Sequence, residues 1–155
     1  MRITEPIRIE HRELLPKIEA LRQAANAIGT IPDSELSSLI KSNVHFLRHH
    51  LVPHAEAEDK VLYPAIATIM GASDATKTMS HDHIAIVQLT DRLESLQGTA
   101  DHNALRDTLY GLYHLVKVHF DKEEEIYLPL LDDNLTEDQA EKLFADMEHA
   151  GHHSH

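Results

Sequence analysis

The chain has 155 residues, which suits one compact domain with a single hydrophobic core and is too short for two ordinary domains. It contains no cysteine, which excludes thiolate zinc sites, cysteine-ligated iron–sulfur clusters and disulfides, so any bound metal must take nitrogen and oxygen ligands. A formal net charge of −12 would repel phosphate groups, and we therefore expect neither nucleic acid nor an anionic membrane surface as a partner.

Two further features of composition bear on location and chemistry. No apolar run is long enough to cross a bilayer, and the N-terminal residues lack the apolar segment of a secretory signal, so a cytoplasmic protein is the simplest expectation. The 14 histidines exceed ordinary usage, and imidazole is the commonest metal ligand in proteins. Composition therefore raises the hypothesis of a metal site.

Apolar residues recur at three- and four-residue intervals through most of the chain and predict four long amphipathic helices. Asp33 or Ser34 is the candidate cap of the second helix, and Ser73 or Asp74 that of the third. The fourth helix is expected to begin at about Asp101. The four helices are predicted to end, in chain order, at Gly29, at Tyr63 or Met70 after a kink at Pro53, at Gly98 and at Leu128.

A fifth, shorter helix is predicted near the C-terminus, because Thr136 and Gln139 form a capping-box pattern. Short connections place successive helices side by side and antiparallel. The sequence therefore predicts an all-α fold, an up-and-down antiparallel four-helix bundle with a short C-terminal helix. We expect the domain to span residues 1–149 and residues 150–155 to form a flexible histidine-rich tail.

The strongest functional signal is a segment that occurs twice. His54 precedes Glu58 by four residues, and His119 precedes Glu123 by the same spacing. In both copies a second acid follows the glutamate, and a proline lies ten residues after the histidine. Residues four apart share one helix face, so an imidazole and a carboxylate can reach the same small volume. One such pair is usually a solvated ion pair, but two matched copies favour a metal site.

The first and third helices each offer one histidine on the inward face. His11 lies three residues before Leu14 on the apolar stripe of the first helix. A lone histidine there is usually a hydrogen-bonded core residue. His11 becomes a candidate metal ligand because other helices also offer candidate ligands. His83 bears the same relation to Ile86, whereas His81 is rotated away from the apolar stripe. His83 is therefore the candidate ligand and His81 the alternative.

These motifs resemble the hemerythrin-like domain family, also called HHE cation-binding domains. The resemblance spans about residues 5–131 and rests on residues 10–15, 50–54, 58–59, 62–64, 82–83 and 119–124. It implies a hemerythrin-like bundle with a centre of two non-haem iron ions joined by an oxo or hydroxo bridge. It also implies that Glu58 and Glu123 bridge the irons and that the terminal ligands are His11, His54, His83 and His119.

The sequence departs from the oxygen-carrying hemerythrins, which use five histidines and place two of them four residues apart on the third helix. Ala85 and Val87 stand four residues beyond His81 and His83, and neither can bind metal. The missing ligand leaves one position for water, for His50 or for a tyrosine such as Tyr63 or Tyr113. Glu124 is the alternative to Glu123 as the carboxylate of the fourth helix.

The expected function is that of a di-iron protein that binds, senses or stores O2, NO or iron. The alternative is a di-iron enzyme that acts on peroxide or nitric oxide, catalase-like or NO-handling, because an open site favours reaction over reversible binding. A structural bundle with incidental histidines is the third hypothesis. Candidate partners are O2, NO and H2O2, a second copy of the chain and a reductase. The terminal histidines His149, His152, His153 and His155 receive no catalytic role.

Overall fold

The computed structural model describes the backbone of residues 2–152 and the side chains of residues 2–151. All regular structure within these residues is helical, which confirms the predicted all-α class. Helix α1 spans Glu5–Ala27, α3 spans Lys77–Ser95 and α5 spans Glu137–His152. Two longer rods are built from consecutive segments: α2 from Asp33–Phe46, Leu47–Leu51, Val52–Ala57, Glu58–Leu62 and Tyr63–Met70, and α4 from His102–Lys122, Glu123–Tyr127 and Leu128–Asn134.

The helix ends follow the local signals in part. Gly71 closes α2 with a backbone φ of 71°, a left-handed conformation that a residue with a side chain adopts only at a cost. At the start of α5, the Thr136 and Gln139 side chains each accept a hydrogen bond from the other residue's backbone N–H, at 3.2 and 2.9 Å. The capping box is therefore confirmed. The predicted caps of α2 and α3 were wrong, because the capping positions are Pro32 and Thr76.

Three segments are π-helical turns, and each ends two residues before a proline: Leu47–Leu51, Glu58–Leu62 and Glu123–Tyr127. Proline lacks an N–H donor, and its ring clashes with the carbonyl four residues earlier in an α-helix. The wider π turn changes the local hydrogen-bond register and lets the rod continue through the proline. Both HxxxE glutamates, Glu58 and Glu123, are the first residues of such turns.

The buried apolar side chains form two clusters. The first apolar cluster contains residues such as Ile18, Leu47 and Leu109, and the second contains residues such as Ile7, Tyr63 and Leu143. Each of the four long helices contributes to both clusters: Ile7 then Ile18 on α1, Leu51 then Leu62 on α2, Met79 then Ile86 on α3, and Val116 then Leu128 on α4. The residues between these pairs form a layer that separates the two clusters.

Contacts between the helices place α1 against α2 and α4, and α3 against α2 and α4. Helix α5 packs on the middle of α2, at Val52–Ala57 and Glu58–Leu62. The predicted tail, residues 150–155, begins within α5, whose backbone continues to His152, and residues 153–155 lie outside the described part of the chain. Among the helices of residues 2–152, none has the length and hydropathy needed to span a membrane.

Candidate metal centre

The layer between the two apolar clusters contains four imidazoles and two carboxylates. These are the six residues that the sequence singled out, and all are buried: Glu58 and Glu123 are 0% exposed, His11 and His119 1%, His83 4% and His54 6%. Each of the four long helices contributes at least one of them. Because each helix enters the layer from one apolar cluster and leaves into the other, the core itself fixes the depth of these side chains.

Glu58 lies at the middle of this layer. Its Oε2 is 3.4 Å from Nε2 of His54, and its Oε1 is 3.2 Å from Nε2 of His83 and 3.9 Å from Nε2 of His119. Two sets of three residues each bring one ligand atom per residue within 4.8 Å of the others: His11, His54 and Glu58 form one set, and Glu58, His83 and His119 form the other. The two candidate cation positions therefore share the Glu58 carboxylate.

Glu123 faces Glu58 from helix α4. Its Oε1 is 3.0 Å from Nε2 of His119 and 4.0 Å from Nε2 of His11. These contacts reach one imidazole from each of the two sets. The second carboxylate therefore lies beside both candidate positions, although it belongs to neither three-residue set.

The outer nitrogen of every imidazole meets a carboxylate that comes from the neighbouring helix. The Nδ1 atoms of His54, His83, His119 and His11 lie 2.6, 3.1, 2.9 and 3.2 Å from Glu10, Asp59, Asp82 and Glu124 respectively. An Nδ1–H that donates to a carboxylate leaves the Nε2 lone pair directed into the centre. We call these four residues the outer carboxylates.

The outer carboxylates close a ring around the bundle, because α1 supports the histidine of α2, α2 that of α3, α3 that of α4, and α4 that of α1. Sequence reasoning missed this role. The signal was present, since each outer carboxylate is the immediate chain neighbour of an inward-facing residue, as in Glu10-His11 and Glu58-Asp59. Adjacent residues on a helix point in different directions, so one faces the centre and the other reaches the next helix.

The alternatives left open by the sequence occupy different positions from the six central residues. The Glu124 side chain is 36% exposed and bonds the outer nitrogen of His11, whereas Glu123 faces inward. His81 is exposed on α3, and His50 is exposed on α2. Tyr113 lies beside Arg22, whose guanidinium carbon is 5.9 Å from its ring centre, and Tyr113 packs against the first apolar cluster.

Among the alternative ligands named from the sequence, Tyr63 is the one that reaches the centre. Its hydroxyl lies 2.9 Å from Nε2 of His119, 3.2 Å from Nε2 of His83 and 3.4 Å from Oε1 of Glu58, to which it donates a hydrogen bond. Burial raises the pKa of Tyr63, and the nearby carboxylate charges raise it further. The phenol therefore keeps its proton at neutral pH.

The carboxylates and imidazoles strongly perturb one another. Burial raises the pKa of Glu123 well above its usual range, and the charge of Glu58 adds to this shift. Burial would also raise the pKa of Glu58, but the positive charge of His54 holds that pKa well below its usual range. For His119, burial would lower the pKa, but the Glu123 and Glu58 carboxylates raise it to about 10. Two buried acids side by side thus require positive charge, which protons or cations can supply.

Unpaired polar atoms provide a test of whether the centre suits a metal. Of the six buried side-chain nitrogen and oxygen atoms without a hydrogen-bond partner in the described part of the chain, five belong to this centre. They are His11 Nε2, His54 Nε2, Glu58 Oε2 and both carboxylate oxygens of Glu123. An unpaired buried polar atom is costly, and atoms with free lone pairs that face one volume are ligands for a cation. The residues therefore fit a metal site.

The fold and this centre define an all-helical protein whose buried histidines and glutamates could hold metal ions. A family model described as the hemerythrin HHE cation-binding domain matches residues 2–131, and the chain belongs to this family. The resemblance drawn from the motifs is thereby confirmed.

One curated protein and the solved structures complete the comparison. A DNA nickase of Nostoc sp. (strain PCC 7120 / SAG 25.82 / UTEX 2576) is 27% identical to this chain over 92 residues, which cover 59% of this chain and 25% of that protein. The similarity thus spans about a quarter of the length of that relative. No solved structure matches the chain.

Proposed function

We propose that this chain is a non-haem di-iron protein that binds, senses or stores O2, NO or iron in the buried layer. The observation that carries the proposal is the pair of three-residue ligand sets that share Glu58. Mixed imidazole and carboxylate ligation suits iron or manganese, and the chain has no thiolate to favour zinc. Two bound iron ions would supply one-electron redox chemistry and coordination positions for a small molecule.

Glu58 and Glu123 would be the bridging ligands in this proposal, since each lies within 4.0 Å of imidazoles of both sets. The terminal ligands are His11, His54, His83 and His119. The outer carboxylates hold the four imidazoles in the orientation that binding requires, and partners of this kind raise the basicity of the ligand nitrogen. The two apolar clusters exclude bulk water from both sides of the layer.

The proposed architecture is the up-and-down antiparallel four-helix bundle with a terminal helix. Two observations support it. The chain enters the polar layer from the second apolar cluster on α1 and α3 and from the first apolar cluster on α2 and α4. The ring of outer carboxylates joins the four helices in chain order. We further propose that residues 1–149 form one domain.

A second candidate function is a di-iron enzyme that acts on peroxide or nitric oxide. The Tyr63 hydroxyl favours it, because a protonated phenol lies among the inward-facing nitrogens and can donate a hydrogen bond to a reacting oxygen. We do not extend DNA nicking to this chain, because the similarity covers 25% of the nickase and a net charge of −12 opposes binding to phosphates. We further propose that the protein is cytoplasmic, that it forms a homodimer and that a reductase supplies it with electrons.

The test is anaerobic reconstitution with Fe2+, followed by iron analysis and by visible spectra after addition of O2, NO or H2O2. We expect two irons per chain and a change in the spectrum with O2 or NO. His54→Ala should lose iron, whereas His81→Ala, a change at an exposed histidine, should retain it. Sustained peroxide consumption that His54→Ala abolishes would favour the enzyme. The proposal would be refuted if the protein takes up no iron, or if the absorption spectrum of the bound iron is unchanged by O2, NO and H2O2.

A further inference from the structure

A cavity of about 390 Å³ opens between α1, α2 and α5 and reaches the candidate metal centre at one residue, His54. His54 is the most exposed of the six inward-facing residues, at 6%. Its Nε2 faces the centre, and its Nδ1 is bonded to Glu10, which also lines the cavity. The cavity is therefore a route from the surface to the outer side of one imidazole.

Three exposed histidines stand at the rim of this cavity. His49 and His50 line it directly, and the His45 ring centre lies 4.4 Å from that of His49 and 6.2 Å from that of His50. His45 lies in the last turn of the segment Asp33–Phe46, two residues before the π turn Leu47–Leu51 begins. The wider turn brings two successive residues, His49 and His50, close to His45. We call His45, His49 and His50 the histidine patch. Two imidazoles four residues apart on one helix face can bind the same divalent cation.

Carboxylates continue the path from the histidine patch inward. The Glu10 side chain is 49% exposed, and its Oε1 lies 2.6 Å from Nδ1 of His54. Glu13 lines an adjoining cavity together with Glu10 and His50. Imidazole and carboxylate groups therefore follow one another from the surface to His54, which is the ligand chemistry of a borderline divalent cation.

A second cavity is lined by Asp59 and Tyr63, which contact the other ligand set, and has a volume of about 530 Å³. Its lining differs in kind. Among the described residues that line it there is no histidine, and Lys77 adds a positive charge. A cation would be repelled at this lysine and would find one carboxylate, so the two cavities are chemically unequal.

We propose that the histidine patch and the cavity beneath it are the loading route by which a divalent cation such as Fe2+ enters the centre. The patch captures the hydrated cation from solvent, and Glu10 receives it beside His54. This inference rests on the proposed function, which supplies the destination. It assigns a role to three exposed histidines that the centre itself does not use.

The test compares the rates at which metal-free full-length proteins load Fe2+ without oxygen. Protein is mixed with Fe2+, quenched at set times with excess chelator and desalted, and the retained iron is counted. The double variant His45→Gln/His49→Gln removes two histidines of the patch and changes none of the six candidate ligands. The matched control His102→Gln/His114→Gln removes two histidines from α4, away from the cavity.

We expect the patch variant to load about tenfold more slowly than the unmodified protein. Local attraction of a charged ligand raises association rates by about 10- to 1,000-fold, and the expected loss is at the low end of that range. Its final iron content and melting temperature should equal those of the unmodified protein, and the control should load at the unmodified rate. Equal rates for all three proteins would overturn the loading route, as would equal slowing of both variants or a lower final iron content in the patch variant. Failure of the unmodified protein to retain iron would instead refute the proposed function, and the route with it.

Discussion

The substitution Glu58→Gln tests the centre most sharply, because Glu58 is the residue common to both candidate cation positions. Glutamine keeps the shape of the side chain and removes its negative charge. A ligand that binds only the native state at 100 times its Kd adds about 2.7 kcal/mol to the free energy of unfolding. In a domain of this size each kcal/mol moves Tm by roughly 2–4 °C, so one ion should raise Tm by about 5–11 °C.

If the substitution weakens binding at both positions by about 100-fold, the same metal concentration leaves each position near its new Kd. The stabilisation then falls to about 0.4 kcal/mol per ion, and the metal-dependent rise in Tm nearly disappears. His11→Gln should abolish about half of the rise, because His11 belongs to one set of ligands. The assay is thermal unfolding by circular dichroism, with and without Fe2+, in the absence of oxygen. A Glu58→Gln protein that keeps the full metal-dependent rise would refute the shared-ligand arrangement.

Two further predictions concern the outer carboxylates and protons. Asp82→Asn should weaken metal binding at one position by about 10–100-fold, because Asp82 bonds Nδ1 of His119 at 2.9 Å. A chelator competition titration measures this affinity. The control Asp107→Asn changes an exposed residue and should have no effect. Since the pKa of His119 is raised to about 10, metal must displace a proton from this imidazole at neutral pH, so apparent affinity should rise as pH increases towards that value. Calorimetry in buffers of different ionisation enthalpy should detect proton release, and its absence would contradict the assignment of His119 as a ligand.

Local sequence signals account for much of the fold. The spacing of apolar residues located the four long helices, and the Thr136 and Gln139 pattern located the start of α5, because hydrogen bonds within a helix link residues only three or four positions apart. The same signals misplaced the start of α3, which begins at Lys77 rather than after Ser73 or Asp74. Several polar residues near a helix start can each cap it, and Thr76, which stands at the observed start, makes no side-chain cap hydrogen bond.

The π turns that begin at Glu58 in α2 and at Glu123 in α4 were not predicted, although the prolines that follow them were part of the repeated sequence pattern. The proline ten residues after each HxxxE histidine was part of the repeated pattern, yet its structural partner is the π turn that begins at Glu58 or Glu123. A proline in a helical pattern predicts a kink or an end. In this structure the helix instead widens into a π turn and continues beyond the proline.

The sequence by itself determined the class of the fold and the family. It also gave as first choices the six residues that meet in the polar layer, with His81 and Glu124 left as alternatives. Periodicity places a residue on one face of its own helix, and it carries that information whatever the other helices do. Only the tertiary structure decided that Glu58 is shared by two ligand sets, that Tyr63 reaches the centre and that the outer carboxylates form a closed ring. These relations join atoms on different helices, and they depend on the rotation and depth at which the packed core fixes each helix against its neighbours.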